Sequence, residues 1–282
     1  MINLLKSFAV TALLVSASSV TAFAQDDIDW TSYYVDGYEA PMANVAEDGS
    51  LIRSGFTYRN SATQAMQLDD FENPGMWRAD EGAAAWDMAE GSAGKSCADC
   101  HGAAEESMKG VGAVYPKVDA ASGELLALED RINKCREEQM GAEPYKWESD
   151  GMLNMTVFVR MQSRGMPVNV AVDGAAAPFF EKGEELYYTR VGQLDMSCAH
   201  CHEYNSGGII RAETLSEGQS NGFPTYRQKW NDIGSIHRRI RGCMDNIRGG
   251  KYAYGSDENT NLELYLAWRG RGLPVETPSV RN

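Results

Sequence analysis

Two short motifs in the chain have the residue types and the spacing that attach haem covalently. They are Cys97-Ala98-Asp99-Cys100-His101 and Cys198-Ala199-His200-Cys201-His202. In a Cys-x-x-Cys-His motif the two thiols form thioethers with the haem vinyl groups, and the histidine binds the iron. We therefore expect two covalently bound haem c groups, attached through Cys97 and Cys100 and through Cys198 and Cys201, with His101 and His202 as iron ligands.

Two other uses of the cysteines have to be considered. Six cysteines in an exported protein can form three disulfides, but this would leave unexplained the histidine that follows each pair. The two Cys-x-x-Cys pairs with their histidines would offer six ligands to a zinc ion that takes four. Both alternatives therefore explain the motifs less well than haem attachment does.

Each iron needs a second axial ligand if it is low-spin. Methionine is the usual ligand in small cytochromes, but no methionine in the C-terminal segment of the first motif's unit recurs in the second unit. Two cysteines do recur: Cys135 lies 34 residues after His101, Cys243 lies 41 after His202, and both end an Arg-Ile-x-x-Cys sequence. We expect Cys135 and Cys243 to be thiolate ligands, which lower the reduction potential of iron. A Cys135–Cys243 disulfide and a pair of free buried thiols remain alternatives.

The motifs lie in a unit that occurs twice in the chain. The segments that end in the two haem motifs match at an offset of 101 residues, the Arg-Ile-x-x-Cys sequences at 108, and two closing Arg-Gly-x-Pro sequences at 107. The additional residues of the second unit fall in a Gly/Ser/Asn-rich stretch around residues 205–221. The repeat predicts an internal duplication.

The elements that must position these residues are predicted to be helical. Apolar spacing predicts short amphipathic helices before each haem motif (82–93 and 183–191) and longer ones near the end of each unit (152–163 and 261–269). Each longer helix is followed by Arg-Gly-x-Pro, where Gly is available as the C′ residue and Pro prevents continuation. We therefore predict a mainly α fold with two tandem class I cytochrome c-like domains, residues 76–172 and 173–282, and a linker at 170–178. An irregular extension with some strand-like alternation, residues 25–75, precedes them.

The first 24 residues have the pattern of a secretory signal. Lys6 provides a positive start, an apolar run covers Phe8 to Val15, and Ala22-Phe23-Ala24 has the form of a cleavage site. The run is too short to span a membrane, and no later segment approaches 18 consecutive apolar residues. We therefore expect export to the periplasm, cleavage near Ala24 and no membrane span.

The chain is strongly acidic, with 26 basic and 40 acidic side chains and a formal net charge of −14. This charge disfavours binding to nucleic acid or to an anionic membrane. A basic partner protein fits better, because opposite charge would steer its approach.

The tandem haem motifs, each followed by a lone cysteine in Arg-x-x-x-Cys, resemble the SoxA family, over about residues 75–282. These are the dihaem subunits of SoxAX cytochromes in thiosulfate oxidation. The resemblance implies an L-cysteine S-thiosulfotransferase that joins thiosulfate to a cysteine of the SoxYZ carrier as an S-thiosulfonate and passes two electrons to an external cytochrome c. It also implies a heterodimer with a SoxX-like monohaem cytochrome c. A dihaem thiosulfate dehydrogenase that forms tetrathionate, and a cytochrome that only transfers electrons, remain alternatives.

The resemblance also implies roles for individual residues. Cys243 would be the catalytic sulfur as well as an iron ligand, and in this family the equivalent cysteine is often a persulfide. Arg239 would contact the substrate, and Cys135 would be a spectator ligand. Because Arg131 has the same place in the first unit, Arg239 could instead pair with a haem propionate or a backbone carbonyl.

The charge around the two recurring cysteines differs. Cys135 is followed by Glu137 and Glu138, whereas the segment around Cys243 is rich in cations: His237, Arg238, Arg239, Arg241, Arg248 and Lys251. A cationic pocket would concentrate the thiosulfate dianion and lower the pKa of Cys243. We therefore expect the chemistry at the second haem, with a solvated basic face as the alternative.

Overall fold

The computed structural model describes residues 42–47, 49–211 and 213–282. The predicted signal peptide and the first part of the predicted extension lie outside these ranges. Within them the chain is rich in helices: α1 (Ser61–Leu68), α2 (Met76–Trp86), α3 (Cys97–His101), α4 (Ala104–Ser107), α5 (Leu128–Cys135), α6 (Asp150–Met161), α7 (Ala177–Tyr188), α8 (Cys198–His202), α9 (Ile236–Asn246) and α10 (Asp257–Arg269). No helix of the described ranges is long and apolar enough to cross a membrane.

The strands are short. They are β1 (Ala43–Val45), β2 (Leu51–Arg53), β3 (Lys117–Val118), β4 (Leu125–Leu126), β5 (Ile209–Ile210), β6 (Glu213–Thr214), β7 (Thr225–Arg227), β8 (Asp232–Gly234) and β9 (Ser279–Arg281). The first six form antiparallel pairs, and the last three form one sheet in the order β8-β7-β9, in which β7 and β9 are parallel.

The predicted duplication is present in the packing of the helices. In the first half α2 packs on α6, and in the second half α7 packs on α10. A Cβ added at Gly82 of α2 would lie 2.3 Å from the carbonyl oxygen of Asn154, and one at Gly183 of α7 would lie 2.1 Å from that of Asn261. Each crossing therefore depends on a glycine at the same place in the repeat, because only a residue without a Cβ lets the backbones approach this closely.

The helices before the haem motifs begin and end earlier than predicted. Helix α2 ends at Trp86 rather than at residue 93, because the chain then turns through Gly91 (φ +69°). Helix α7 begins at Ala177, inside the predicted linker, and carries Pro178 in its first turn, where the missing N–H costs no hydrogen bond.

The two longer helices are confirmed, and they begin slightly before the predicted positions. The side chains of Ser149 and Ser256 cap them by accepting hydrogen bonds from the N–H groups of Met152 and Asn259. The glycines of the Arg-Gly-x-Pro sequences are not C′ residues, since α6 ends at Met161 and α10 at Arg269.

The Arg-Gly-x-Pro sequences instead join the two halves. The N–H of Gly165 donates to the carbonyl oxygen of Val275 at 2.9 Å, and the N–H of Val168 donates to that of Leu273 at 2.8 Å. Both Val275 and Leu273 are fully buried. The ends of the two repeats thus pair with each other in the interior.

From residue 42 onward the extension packs on the second half. After the β1–β2 hairpin, the guanidinium of Arg53 pairs with Glu217 at 2.6 Å, and the hydroxyl of Tyr58 donates to the same carboxylate at 2.9 Å. Arg59 donates to the carbonyl oxygen of Thr214 at 2.7 Å. The extension therefore reaches the loop that follows the second haem motif.

Charged side chains are buried where the two halves meet. His237, at the start of α9, is fully buried, stacks on Trp147 with ring centroids 4.4 Å apart, and lies 3.2 Å from the Glu263 carboxylate. Glu129 of α5 and Arg160 of α6 are buried beside the same carboxylate and line a small cavity with it. Burial and the nearby Glu263 raise the pKa of Glu129 well above its ordinary value.

Candidate functional site

Each haem motif forms a one-turn helix with a serine at its start. In the first half the Ser96 hydroxyl accepts from the N–H of Asp99 at 3.1 Å, and the Asp99 carboxylate accepts from the N–H of Ser96 at 2.8 Å. In the second half the N–H of Ser197 donates to Nδ1 of the His200 ring at 3.2 Å, and the Ser197 hydroxyl lies 2.8 Å from the same nitrogen. These serine contacts fix the start of the helical turn that carries both thiols and the final histidine of each motif.

The imidazole of His202 is oriented for metal binding through Nε2. Its Nδ1 lies 2.7 Å from the carbonyl oxygen of Ser216, and because a carbonyl only accepts, Nδ1 carries the proton. A Cβ added at Gly218 (φ +81°) would lie 2.8 Å from the His202 ring. A glycine is therefore needed where this loop passes the imidazole.

His101 has different surroundings. Its ring lies beside that of Trp86, with centroids 5.8 Å apart, and the Trp86 indole donates to the carbonyl oxygen of Gly102 at 3.0 Å. Trp86 is buried at the C-terminal end of α2.

Cys243, on α9, lies within hydrogen-bond distance of His202. Burial by itself raises the pKa of its thiol, but the guanidinium of Arg239, a hydrogen bond with His202 and the charge of Arg227 outweigh burial and bring the pKa down to about 7. Cys198 lies near Cys243, and burial together with this neighbour raises its pKa to about 12. Among the cysteines of the second half, the anionic form is therefore favoured at Cys243 and disfavoured at Cys198.

Cys135 has the equivalent place in the first half but the opposite electrostatics. It is the last residue of α5, and the chain continues into a π-helical turn, Arg136–Met140. Burial raises the pKa of its thiol, and although Arg131 acts against this, Glu138 and Cys100 add to it. The pKa of Cys135 is therefore raised where that of Cys243 is lowered.

The donor atoms suit haem iron better than a bare metal ion. All six cysteines are free thiols, so the predicted alternative of a Cys135–Cys243 disulfide is not present. Within residues 42–47, 49–211 and 213–282, no group of three or more His, Cys, Asp or Glu side chains could hold a metal ion. A haem supplies the other iron ligands itself, so one histidine and one cysteine in each half would be enough to hold its iron.

The cations near Cys243 in the sequence do not form one cluster in space. His237 lies in the buried interface, Arg238 stacks on Trp230, Arg241 donates to the carbonyl oxygen of Tyr252, and Lys251 pairs with Asp245. Of the six predicted cations, Arg239 has the largest effect on the pKa of Cys243. The positive charge expected around Cys243 therefore comes from fewer residues than the sequence indicates.

Sequence reasoning missed a second arginine at this site. Arg227 of β7 is buried, pairs with Glu213 and contributes to the low pKa of Cys243. It lies outside the Arg-x-x-x-Cys motif, but the repeat could have indicated it, because at the offset of 108 residues it replaces Asp119.

Comparisons with known proteins agree with this arrangement. The model of the SoxA/TsdA cytochrome c domain matches residues 81–168 and 182–275. The chain is 50% identical over 240 residues to the L-cysteine S-thiosulfotransferase subunit SoxA of Rhodovulum sulfidophilum, covering 85% of this chain and 84% of that protein. It is 48% identical to the subunit of the same name from Paracoccus pantotrophus, covering 86% and 83%.

A solved structure is similar over most of the chain. A chain of the crystal structure of SoxXA from P. pantotrophus has a TM-score of 0.80 and 49% identity, covering 82% of this chain and 88% of that one. The family model covers both halves of the repeat, so the predicted cytochrome c-like fold and the predicted family are confirmed. The chain belongs to the SoxA branch of the SoxA/TsdA cytochrome c family.

Proposed function

We propose that this chain is the subunit of an L-cysteine S-thiosulfotransferase that couples thiosulfate to a cysteine of a SoxYZ-type carrier. The single observation that carries the proposal is the pairing of His202 with a Cys243 thiol whose pKa is lowered to about 7 beside Arg239. The names of relatives that are about 50% identical agree with it. The raised pKa of Cys135 supports the second half as the catalytic one.

The chain would carry two haem c groups. Cys97 and Cys100 would attach the first, and His101 and Cys135 would bind its iron. Cys198 and Cys201 would attach the second, and His202 and Cys243 would bind its iron. When bound, the haem at the second site supplies an acceptor for electrons close to the Cys243 sulfur.

The remaining parts of the proposal concern partners and location. The similar solved structure contains SoxX, which supports a SoxX-like monohaem cytochrome as partner. The predicted signal peptide supports the periplasm, and the net charge of −14 suits a basic electron acceptor such as a cytochrome c.

The chemistry would divide into two steps at Cys243. First, the Cys243 thiolate forms a bond with the terminal sulfur of thiosulfate, and the two sulfurs together lose two electrons, which pass to the external cytochrome c. Next, a thiolate of the carrier attacks the sulfur bonded to Cys243. The new bond leaves S-thiosulfonate on the carrier and returns the Cys243 thiolate. Arg239 would hold the anion and offset its repulsion by the thiolate.

The proposal is tested by assaying transfer with Cys243→Ser and Cys243→Met in the complete heterodimer. We expect both variants to lose transfer to the carrier by at least about 10³-fold, since neither can form the sulfur–sulfur bond. Full activity in Cys243→Ser would contradict the proposal, and full function of Cys243→Met would indicate a cytochrome that only transfers electrons. Tetrathionate formed without the carrier would indicate a thiosulfate dehydrogenase.

A further inference from the structure

Arg227 and Asp119 occupy the same position of the internal repeat but carry opposite charges. Strand β3 pairs with β4 through Lys117 opposite Leu126, and β7 pairs with β8 through Thr225 opposite Gly234. Both members of the second pair lie 108 residues after those of the first, so the register of the two hairpins is identical. Arg227 therefore stands at the place of Asp119.

In the first half this position neutralises cations. The Asp119 carboxylate lies 2.5 Å from the ammonium of Lys134 and 3.7 Å from the guanidinium of Arg131, the arginine four residues before Cys135. The first half therefore pairs its arginine with an acid and leaves little excess charge beside the cysteine.

In the second half the same position adds a cation. Arg227 and Arg239 both approach Glu213, Arg227 by a direct ion pair and Arg239 at 3.9 Å. The Arg227 side chain is held from two further sides, since its Nε donates to the carbonyl oxygen of Asn282 at 3.0 Å and its guanidinium lies over the ring of Trp230. Its side chain is only 7% exposed, which is unusual for an arginine that shares its carboxylate partner with a second arginine.

A third arginine joins the group from the N-terminal extension. Burial and the neighbouring cation of Arg281 are the largest causes that lower the pKa of Arg59, which falls to about 10. Glu213, Arg227 and Arg239 are also close enough for their charges to act on it. Its Nε is buried and has no hydrogen-bond partner among the described residues. Arg227 pairs with the Glu213 carboxylate, Arg239 lies 3.9 Å from it, and Arg59 lies within reach of its charge. Positive charge therefore exceeds negative charge among these side chains, in a chain of net charge −14.

We propose that Arg59, Arg227 and Arg239 form one binding site for a sulfur oxoanion beside Cys243, with Glu213 as the carboxylate that offsets part of their charge when no anion is bound. The inference rests on the proposed function for the identity of the anion, thiosulfate. An anion would balance this excess of positive charge, and guanidinium groups present paired N–H donors that suit the oxygens of a sulfur oxoanion. Glu213 competes with the anion for the guanidinium groups, so neutralising its carboxylate should strengthen anion binding.

Haem propionates are the other anions that these arginines could hold, and the test distinguishes the two. The dissociation constant of sodium thiosulfate is measured by calorimetry on the haem-loaded heterodimer, without carrier or electron acceptor, and the haem absorption spectrum is recorded for each variant. Arg227→Met removes a cation, and Glu213→Gln removes the carboxylate charge while keeping an oxygen that accepts from Arg227. Lys182→Met, on the exposed surface of α7, is the control for net charge.

The two variants are expected to move affinity in opposite directions. Arg227→Met raises the dissociation constant by about tenfold or more, the effect of losing one charged hydrogen bond. Glu213→Gln lowers it several-fold, because the excess of positive charge increases, and Lys182→Met leaves it within about twofold. If Arg227→Met does not fold, Arg227→Lys keeps the charge and loses the paired donors, and an intermediate weakening is expected.

An unchanged dissociation constant in Arg227→Met together with an altered haem spectrum would assign Arg227 to a propionate and overturn the proposal. Weaker binding in Glu213→Gln would also overturn it. A wild-type heterodimer that binds thiosulfate but transfers none to the carrier would leave the anion site standing and contradict the proposed function instead.

Discussion

At the scale of single residues, the two recurring cysteines differ through the charges that face them. Arg131 and Arg239 have the same place in the repeat, yet Arg131 faces Asp119 and Arg239 faces a site that also holds Arg227. The pKa of Cys135 is raised and that of Cys243 is lowered. Two cysteines in the same sequence motif thus have thiols of different acidity because of side chains outside the motif.

Replacing each of the two equivalent arginines by methionine, in separate variants, tests this difference. Arg239→Met should lower kcat/KM for thiosulfate transfer by about tenfold to a hundredfold, because a charged contact with the anion is lost. Arg131→Met should leave it within about threefold. Equal losses in the two variants would mean that both arginines support haem binding in general and that neither selects the substrate.

The residues of the motifs were predictable, and the residues around them were not. Cys97, Cys135 and their counterparts in the second half could be identified because their local sequence spacing is the same in both copies of the repeat. Arg227, Glu213 and Arg59 meet only through the fold, because they lie on a strand, a hairpin and the N-terminal extension. His237 was placed wrongly since a sequence position near Cys243 does not reveal that Trp147 of the other half buries it.

At the scale of elements, the haem motifs are held by helix pairs that cross at a glycine. The predicted helices are present, but their bounds depend on capping residues such as Ser149 and Ser256, which apolar periodicity does not reveal. The glycines themselves were visible in the repeat as Gly82 and Gly183. Their role became clear only from the distance between the crossing backbones.

Substituting the glycine of a crossing should separate its helices. Gly183→Ala places a Cβ about 2.1 Å from the carbonyl oxygen of Asn261, so the backbone of α7 or α10 must move. We expect the free energy of unfolding to fall by about 1–3 kcal/mol, measured by denaturant titration of the haem-loaded protein. Gly250→Ala is the control, since a Cβ there meets nothing within 4 Å. A change of less than about 0.5 kcal/mol in Gly183→Ala would contradict the close crossing.

At the scale of the whole molecule, the duplicated halves are joined through a buried interface that carries charge. Glu129 and His237 are equivalent residues of the repeat, six positions before Cys135 and Cys243, and both are buried there beside Glu263 and Arg160. If each copy of the repeat is considered alone, these charged residues would be expected on the exposed face of a helix. Only the contact of two copies of the fold explains their burial.

The interface makes stability depend on pH through Glu129. Burial and Glu263 raise the pKa of Glu129 in the folded chain. The folded chain therefore keeps the Glu129 proton at pH values above about 4.3, where the unfolded chain has released it. This contribution to stability is present at low pH and is lost as pH rises through the folded pKa. Glu129→Gln should therefore stabilise the protein increasingly from pH 4.5 to pH 8, by on the order of 1–2 kcal/mol at the upper end. Urea titrations across this range measure the effect, and a gain that shrinks as pH rises would contradict it.

The central claim, that thiosulfate bonds to the sulfur of the second half, is tested most directly by locating the adduct. The haem-loaded heterodimer is incubated with thiosulfate and an oxidised cytochrome c in the absence of the carrier, and its peptides are analysed by mass spectrometry. We expect the added mass of thiosulfate on the peptide that contains Cys243, its loss when the carrier is added, and an unmodified Cys135 peptide. An adduct on Cys135, or transfer to the carrier with no adduct on Cys243 at any time, would contradict the account.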